Sequence, residues 1–155
     1  MSINEVIGLI KQGENERIEF KERVTDDLGE DICALANAEG GFILIGVRDD
    51  GKIVGCNAKK SKERVTSFLN SIVPPVKVKM EVVQIDKKEL LVIKVKKANY
   101  VATIGGVAYI RIGTSKRPLS LAELGMMGAE YLIISIDSLP TSVEESEMEN
   151  AYWKW

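Results

Sequence analysis

The chain has 155 residues, 45% hydrophobic and 28% charged, with a formal net charge of −2. That length fits one domain able to bury a substantial core, and no apolar run is long enough, at about 18 residues, to span a membrane. Histidine is absent, which excludes Ser-His-Asp and Cys-His nucleophilic centres and a histidine general base. Any chemistry must come from carboxylates, lysines, arginines, hydroxyls or a hard metal ion.

Residues 3–12 place Ile3, Val6, Ile7 and Ile10 at helical spacing, so a short amphipathic helix is predicted, ending at Gly13. Arg17-Ile18-Glu19-Phe20-Lys21 alternates and predicts a strand that buries Ile18 and Phe20, with Arg17, Glu19 and Lys21 on the other face. A second helix is expected from Thr25-Asp26, both acceptable caps, through Leu28, Ile32, Leu35 and Ala36 to the Gly40-Gly41 pair. Phe42 to Val47 then reads as a strand buried on both faces. Asp50-Gly51 predicts a tight turn into a hairpin partner, Lys52–Gly55.

A third helix is expected over about 60–72, closed by Pro74-Pro75. Val76 to Val82 alternates with Lys77, Lys79 and Glu81, and the Val82-Val83 doublet suggests a bulge. Residues 89–97 give another strand, with Leu91, Ile93 and Val95 on one face. Gly105-Gly106 signals a hairpin between 101–104 and 107–112. Ser120-Leu121-Ala122-Glu123 has the form of a capping box opening a last helix. A final strand is expected at 132–136.

The tally predicts an α+β fold, with a mixed, mainly antiparallel sheet and three to four packing helices. Residues 1–136 form the expected domain, and 137–155 an acidic tail ending in Tyr152-Trp153-Lys154-Trp155. The tail holds five acids and one base, which leaves the body slightly basic, with 20 basic and 18 acidic residues. The N-terminus lacks a signal-peptide pattern, and Cys33 and Cys56 are expected as buried free thiols. A cytoplasmic protein without zinc is the expectation, since two cysteines and no histidine make a poor zinc site.

Two constellations could carry chemistry. Glu14, Glu19 and Asp49, with Lys21 beside Glu19, would suit a hard divalent cation if the two strands bring them together. The plainer alternative is a few solvated acids in a chain rich in charge. The second constellation is Tyr109 to Pro118, where Arg111, Lys116 and Arg117 with the Gly113 turn could contact phosphates. Its alternative is a solvated loop before a capped helix.

Taken together, Gly13-Glu14, Glu19-Phe20-Lys21, Ala34 to Gly41, Ile45 to Gly51 and Tyr109 to Thr114 resemble the Schlafen Alba-like (AlbA_2) domain in order and spacing. The resemblance covers about residues 3–125. It implies an α+β domain associated with nucleic acids. In its animal members it implies a metal-dependent endoribonuclease acting on transfer and ribosomal RNA.

By motif match the catalytic acids and metal ligands would be Glu14, Glu19 and Asp49, holding Mg²⁺ or Mn²⁺, with Lys21 at the scissile phosphate. Arg48, Arg111, Lys116 and Arg117 would hold the backbone of a structured, tRNA-like RNA, or of DNA. A homodimer is implied, because the animal core resembles two such lobes. Arg48 stands where an acid is common, and the animal zinc site cannot form here. The alternatives are a non-catalytic DNA- or RNA-binding module of a transcriptional regulator, and a nucleotide-binding accessory domain.

Overall fold

The computed structural model describes residues 1–128. The expected strand at 132–136, the boundary at 136 and the acidic tail lie outside the described residues. α1 (Ile3–Gln12) starts at Ser2, whose hydroxyl accepts from the Glu5 N–H at 3.2 Å, and stops at Gly13. α2 (Leu28–Asn37) buries Leu28, Ile32, Leu35 and Ala36. It begins later than Thr25-Asp26 had indicated. The side chain of its cap, Asp27, makes no hydrogen bond to the first turn, because the carboxylate is drawn elsewhere. α3 (Ala58–Ser71) is capped by Asn57, which accepts from the Lys60 N–H at 3.1 Å.

The strands in chain order are β1 (Ile18–Lys21), β2 (Gly41–Ile45), β3 (Ile72–Val73), β4 (Val78–Ile85), β5 (Lys88–Val95), β6 (Thr103–Ile104), β7 (Tyr109–Ile112) and β8 (Ser115–Pro118). The main sheet runs β1-β2-β5-β4, with β1 and β2 parallel and the other pairs antiparallel. Two ribbons, β3–β6 and β7–β8, complete the α+β fold.

Each face of the main sheet carries its own core. Ile43, Ile45, Leu91, Ile93 and Val95 pack with Leu28, Ile32 and Leu35 of α2 and Val65 of α3. On the other face Leu44, Val83, Leu90 and Val92 pack with Val6 of α1. Parallel pairing brings β1 so near β2 that a Cβ at Gly41 would lie 2.1 Å from the Arg17 carbonyl oxygen, at a φ of 152°. Only glycine fits there.

Four further local expectations change. Gly105-Gly106 turns the chain, but its arms meet only at the bridge between Ile104 and Val107, while β6 pairs with β3 and β7 with β8. The turn at Asp50-Gly51 leads to a single bridge, Val47 to Ile53, and not to a paired strand. Val82-Val83 is no bulge, since β4 pairs with β5 in unbroken register from Val78↔Val95 to Ile85↔Lys88. The doublet arises because Val78 and Met80 serve one core and Val83 and Ile85 the other. Finally, residues 115–118, expected as a loop, form β8 against β7. The capping box is present as expected, with Ser120 and Glu123 exchanging hydrogen bonds at 3.0 and 3.2 Å.

Candidate functional site

β1 lies at the edge of its sheet, and its outer rim is where two of the predicted acids, Glu14 and Glu19, meet one of the predicted cations, Arg111. Its inner N–H and C=O groups face β2, while Ile18 and Phe20 present theirs outward. An open strand edge invites pairing with another chain, and two side chains close this one. Glu14 Oε1 accepts from the Phe20 N–H at 3.0 Å. Arg111, reaching back from β7, donates to the Ile18 carbonyl at 2.9 Å and to the Asn15 carbonyl at 2.8 and 3.1 Å. Its remaining guanidinium nitrogen, Nη1, pairs with the Glu19 carboxylate. The Arg111 side chain is only 2% exposed.

A second polar group adjoins it under the start of α2. Lys21 Nζ lies 3.0 Å from Asp31 Oδ2, an ion pair outside hydrogen-bond geometry, and 3.6 Å from Asp27. Lys116, from β8, donates to Asp27 at 2.7 Å and to Asp31 at 2.9 Å. Thr25 donates to Asp27 and accepts from Lys21 at 3.4 Å. Lys21, Lys116, Asp27 and Asp31 balance in charge, and the two groups tie β1, α2 and the β7–β8 ribbon together.

Environment shifts these groups in opposite directions. Burial pushes the Glu19 carboxyl above the usual range, against the pull of Arg111, and the charges of Asp31 and Glu14 add to the rise. The hydrogen bond from Lys116, then that from Thr25, holds Asp27 far below its ordinary 3.8. The Asp27 contribution is therefore present above the ordinary carboxylate pKa and fades as pH falls toward the folded value. Asp27→Asn should be less stable than the wild type near about pH 7, and the gap should narrow by about pH 3. Asp27 is half exposed, so the effect should stay under about 1 kcal/mol in urea midpoints. Glu19, shifted the other way, has the opposite sign.

The four cations expected on phosphate all have acidic partners. Arg48 lies 3.6 Å from Glu22 and 3.5 Å from Asp50. Arg117 grips both oxygens of Glu123 at 2.8 Å, Arg111 holds Glu19, and Lys116 holds Asp27 and Asp31.

Nor do the three expected metal ligands converge. Glu19 and Lys21 project toward α2, whereas Asp49 lies in an exposed turn that continues to Gly51, which sits beside Ile10 of α1. Glu19 is occupied by a guanidinium and Glu14 by a backbone N–H. Among the described residues no group of three or more Asp, Glu or Cys side chains is placed to hold a metal ion. The donors in this arrangement do not fit a divalent cation.

Sequence reasoning missed Asp27, Asp31 and Thr25. A signal existed for Asp31, which stands three residues after Leu28 and four before Leu35, inside the apolar stripe of α2. An acid at a core-facing helical position needs a buried cation. It also missed Asn37, buried at 5% exposure, whose side chain makes three hydrogen bonds of 2.8 Å to Ala102 and Tyr109.

Comparison with known proteins places these observations in context. The Schlafen, AlbA_2 family profile matches residues 14–120. The DIP2311 protein of Corynebacterium diphtheriae superposes with a TM-score of 0.58 at 19% identity, over 81% of this chain and 27% of that one. The N-terminal domain of a RecG-related protein from Nitrosomonas europaea, named for a likeness to an ATP-dependent DNA helicase, gives a TM-score of 0.54 at 25% identity. It is covered over 93% of its length by 74% of this chain. No curated protein sequence matches significantly. Among the described residues no helix is long and apolar enough to cross a membrane.

Proposed function

Because the chain belongs to the Schlafen AlbA_2 family, we propose that it is a nucleic-acid-binding module in which Glu14 and Glu19 hold the fold. The nucleic-acid half of this reading is supported by the family and by the near full-length cover of a helicase-related N-terminal domain. The structural half rests on one observation: both acids of the Glu-X4-Glu motif are spent on the edge of β1 and its buried arginine.

Retention of hairpin RNA or duplex DNA that weakens steeply with salt is the expected result. It should survive Glu19→Gln, at least where that variant remains folded. Absence of retention at low salt removes the reading. The two-lobed family core further supports two copies acting together on one nucleic acid, which light scattering of the complex would reveal as a homodimer.

A second reading is a Mg²⁺- or Mn²⁺-dependent endoribonuclease on structured RNA such as tRNA. One observation favours it: Glu14, on the Phe20 N–H, and Glu19 both lie along β1, with Lys21 on the same strand. It requires Glu19 to leave Arg111. Incubation with tRNA and Mn²⁺ decides. Metal-dependent cleavage abolished by Glu19→Ala supports the nuclease, whereas equal cleavage by that variant, or none by the wild type, removes it.

A further inference from the structure

We propose that the nucleic-acid backbone lies across the open half of the main sheet, held by Lys79 of β4 and Lys94 of β5 together with Lys77, just before β4, and Lys96, just after β5. This assignment rests on the nucleic-acid reading above and names its surface.

The argument starts from strand alternation. On the α1 side of the sheet, β4 presents Val83 and Ile85, and β5 presents Leu90 and Val92, all packed with α1 into one core. Two residues further on, at every second position, the same face changes character. β4 continues with Glu81 and Lys79 and β5 with Lys94, and the same alternation carries on to Lys77, just before β4, and Lys96, just after β5. α1 covers the apolar half and leaves the basic half open, with all four lysines exposed.

Their arrangement is costly without a ligand. Lys79 and Lys94 are direct cross-strand partners, and the Lys96 N–H donates to the Lys77 carbonyl at 3.0 Å, which brings the next two lysines together as well. Like charges placed opposite one another destabilise a sheet. Among the described residues the single ion pair made by these four is Lys79 with Glu81, at 3.6 Å. Protection of an exposed edge accounts for lysines on β4, the outermost strand. It does not account for Lys94 and Lys96, because β5 is interior, between β2 and β4.

The surroundings suit a nucleic acid. A groove of about 470 Å³ runs over these lysines to Arg17, its one acid being Glu39, which sits 3.6 Å from Lys97. Arg17 also lines the adjoining groove, where Phe42 is half-buried, with Lys94 Nζ 5.9 Å from the centre of its ring. Cations that track a backbone beside an aromatic face are the parts that single strands use. The cations expected from the motif, by contrast, are all engaged by acids.

Fluorescence anisotropy with a labelled oligouridine and a labelled hairpin RNA tests the assignment. Lys79→Gln/Lys94→Gln should bind about tenfold more weakly at low salt, and its log-log salt slope should fall by about 1.4, or about 0.7 for each lost phosphate contact. Its thermal melt should match the wild type. The control Lys59→Gln/Lys60→Gln, exposed on α3, should stay within about twofold of the wild type. If the wild type binds and the Lys79/Lys94 variant binds equally, this surface is wrong while the nucleic-acid reading stands. Equal losses in both variants also overturn the surface. Binding of phosphatidylserine vesicles with no binding of RNA overturns the surface and that reading together.

Discussion

Arg111→Met should be the most damaging single substitution in this domain, at about 3–5 kcal/mol of folding stability. Its guanidinium is buried and makes three hydrogen bonds to the Asn15 and Ile18 carbonyls besides its ion pair with Glu19. Removing it leaves a carboxylate largely out of water with no cation, and takes three donated hydrogen bonds from the Asn15 and Ile18 carbonyls, which keep only each other's N–H. Both costs fall on the folded state alone.

Urea unfolding of the wild type, Arg111→Met, Glu19→Gln and the double variant measures the effect. The double variant should be markedly more stable than the sum of the singles predicts, because neutralising Glu19 removes the uncompensated charge. If Arg111→Met is too unstable to fold, Arg111→Lys serves. It keeps the charge but loses the planar fork, and should fall between the two. A loss below about 1 kcal/mol in both arginine variants would show that the Arg111 contacts do not hold the β1 edge.

Asn37→Leu should cost about 3 kcal/mol despite its similar volume. Asn37 ends α2, and its amide donates to the Ala102 and Tyr109 carbonyls while its oxygen accepts from the Ala102 N–H, each at 2.8 Å. A leucine leaves three backbone groups without partners in a dry site, and the unpaired N–H is the worst of them. Hydrogen exchange at the Ala102 amide gives a local readout. It should become faster relative to core amides of β5 if the clamp is what holds the 102–109 segment, and unchanged relative protection would refute that role. Asn37→Asp should also destabilise, since it keeps the acceptor but turns two donated bonds into repulsion.

Much of the fold was legible along the chain because it is set locally. The Ile3–Ile10 spacing and Gly13 defined α1, and the Ser120–Glu123 pair defined the cap of the helix that begins at Leu121. The Ile18/Phe20 alternation gave the buried face of β1. The motifs from Glu14 to Thr114 pointed to the family before any coordinate did. The false bulge at Val82-Val83 came from reading one core where the sheet has two, since a strand buried on both faces can change phase without an inserted residue.

The site divides along the same line. Residue types and spacing by themselves determined the α+β class, the family and some of the charged groups that meet there, Glu14, Glu19, Lys21, Arg111 and Lys116, but not Asp27 or Asp31. What each of them touches was decided only by the tertiary structure. Arg111 lies 92 residues from Glu19 in sequence, and Lys116 lies 85 from Asp31. Their pairing depends on how the β7–β8 ribbon docks against α2 and β1, and no local pattern encodes that. Burial then decides their chemistry, because a cation placed at the edge of β1 in a low-dielectric site binds the nearest carboxylate before any phosphate in solvent. Lys77, Lys79, Lys94 and Lys96, by contrast, stand in the sequence only as charges alternating with apolar residues. Only the sheet order, which puts β5 inside and opposes Lys94 to Lys79, turned them into a surface.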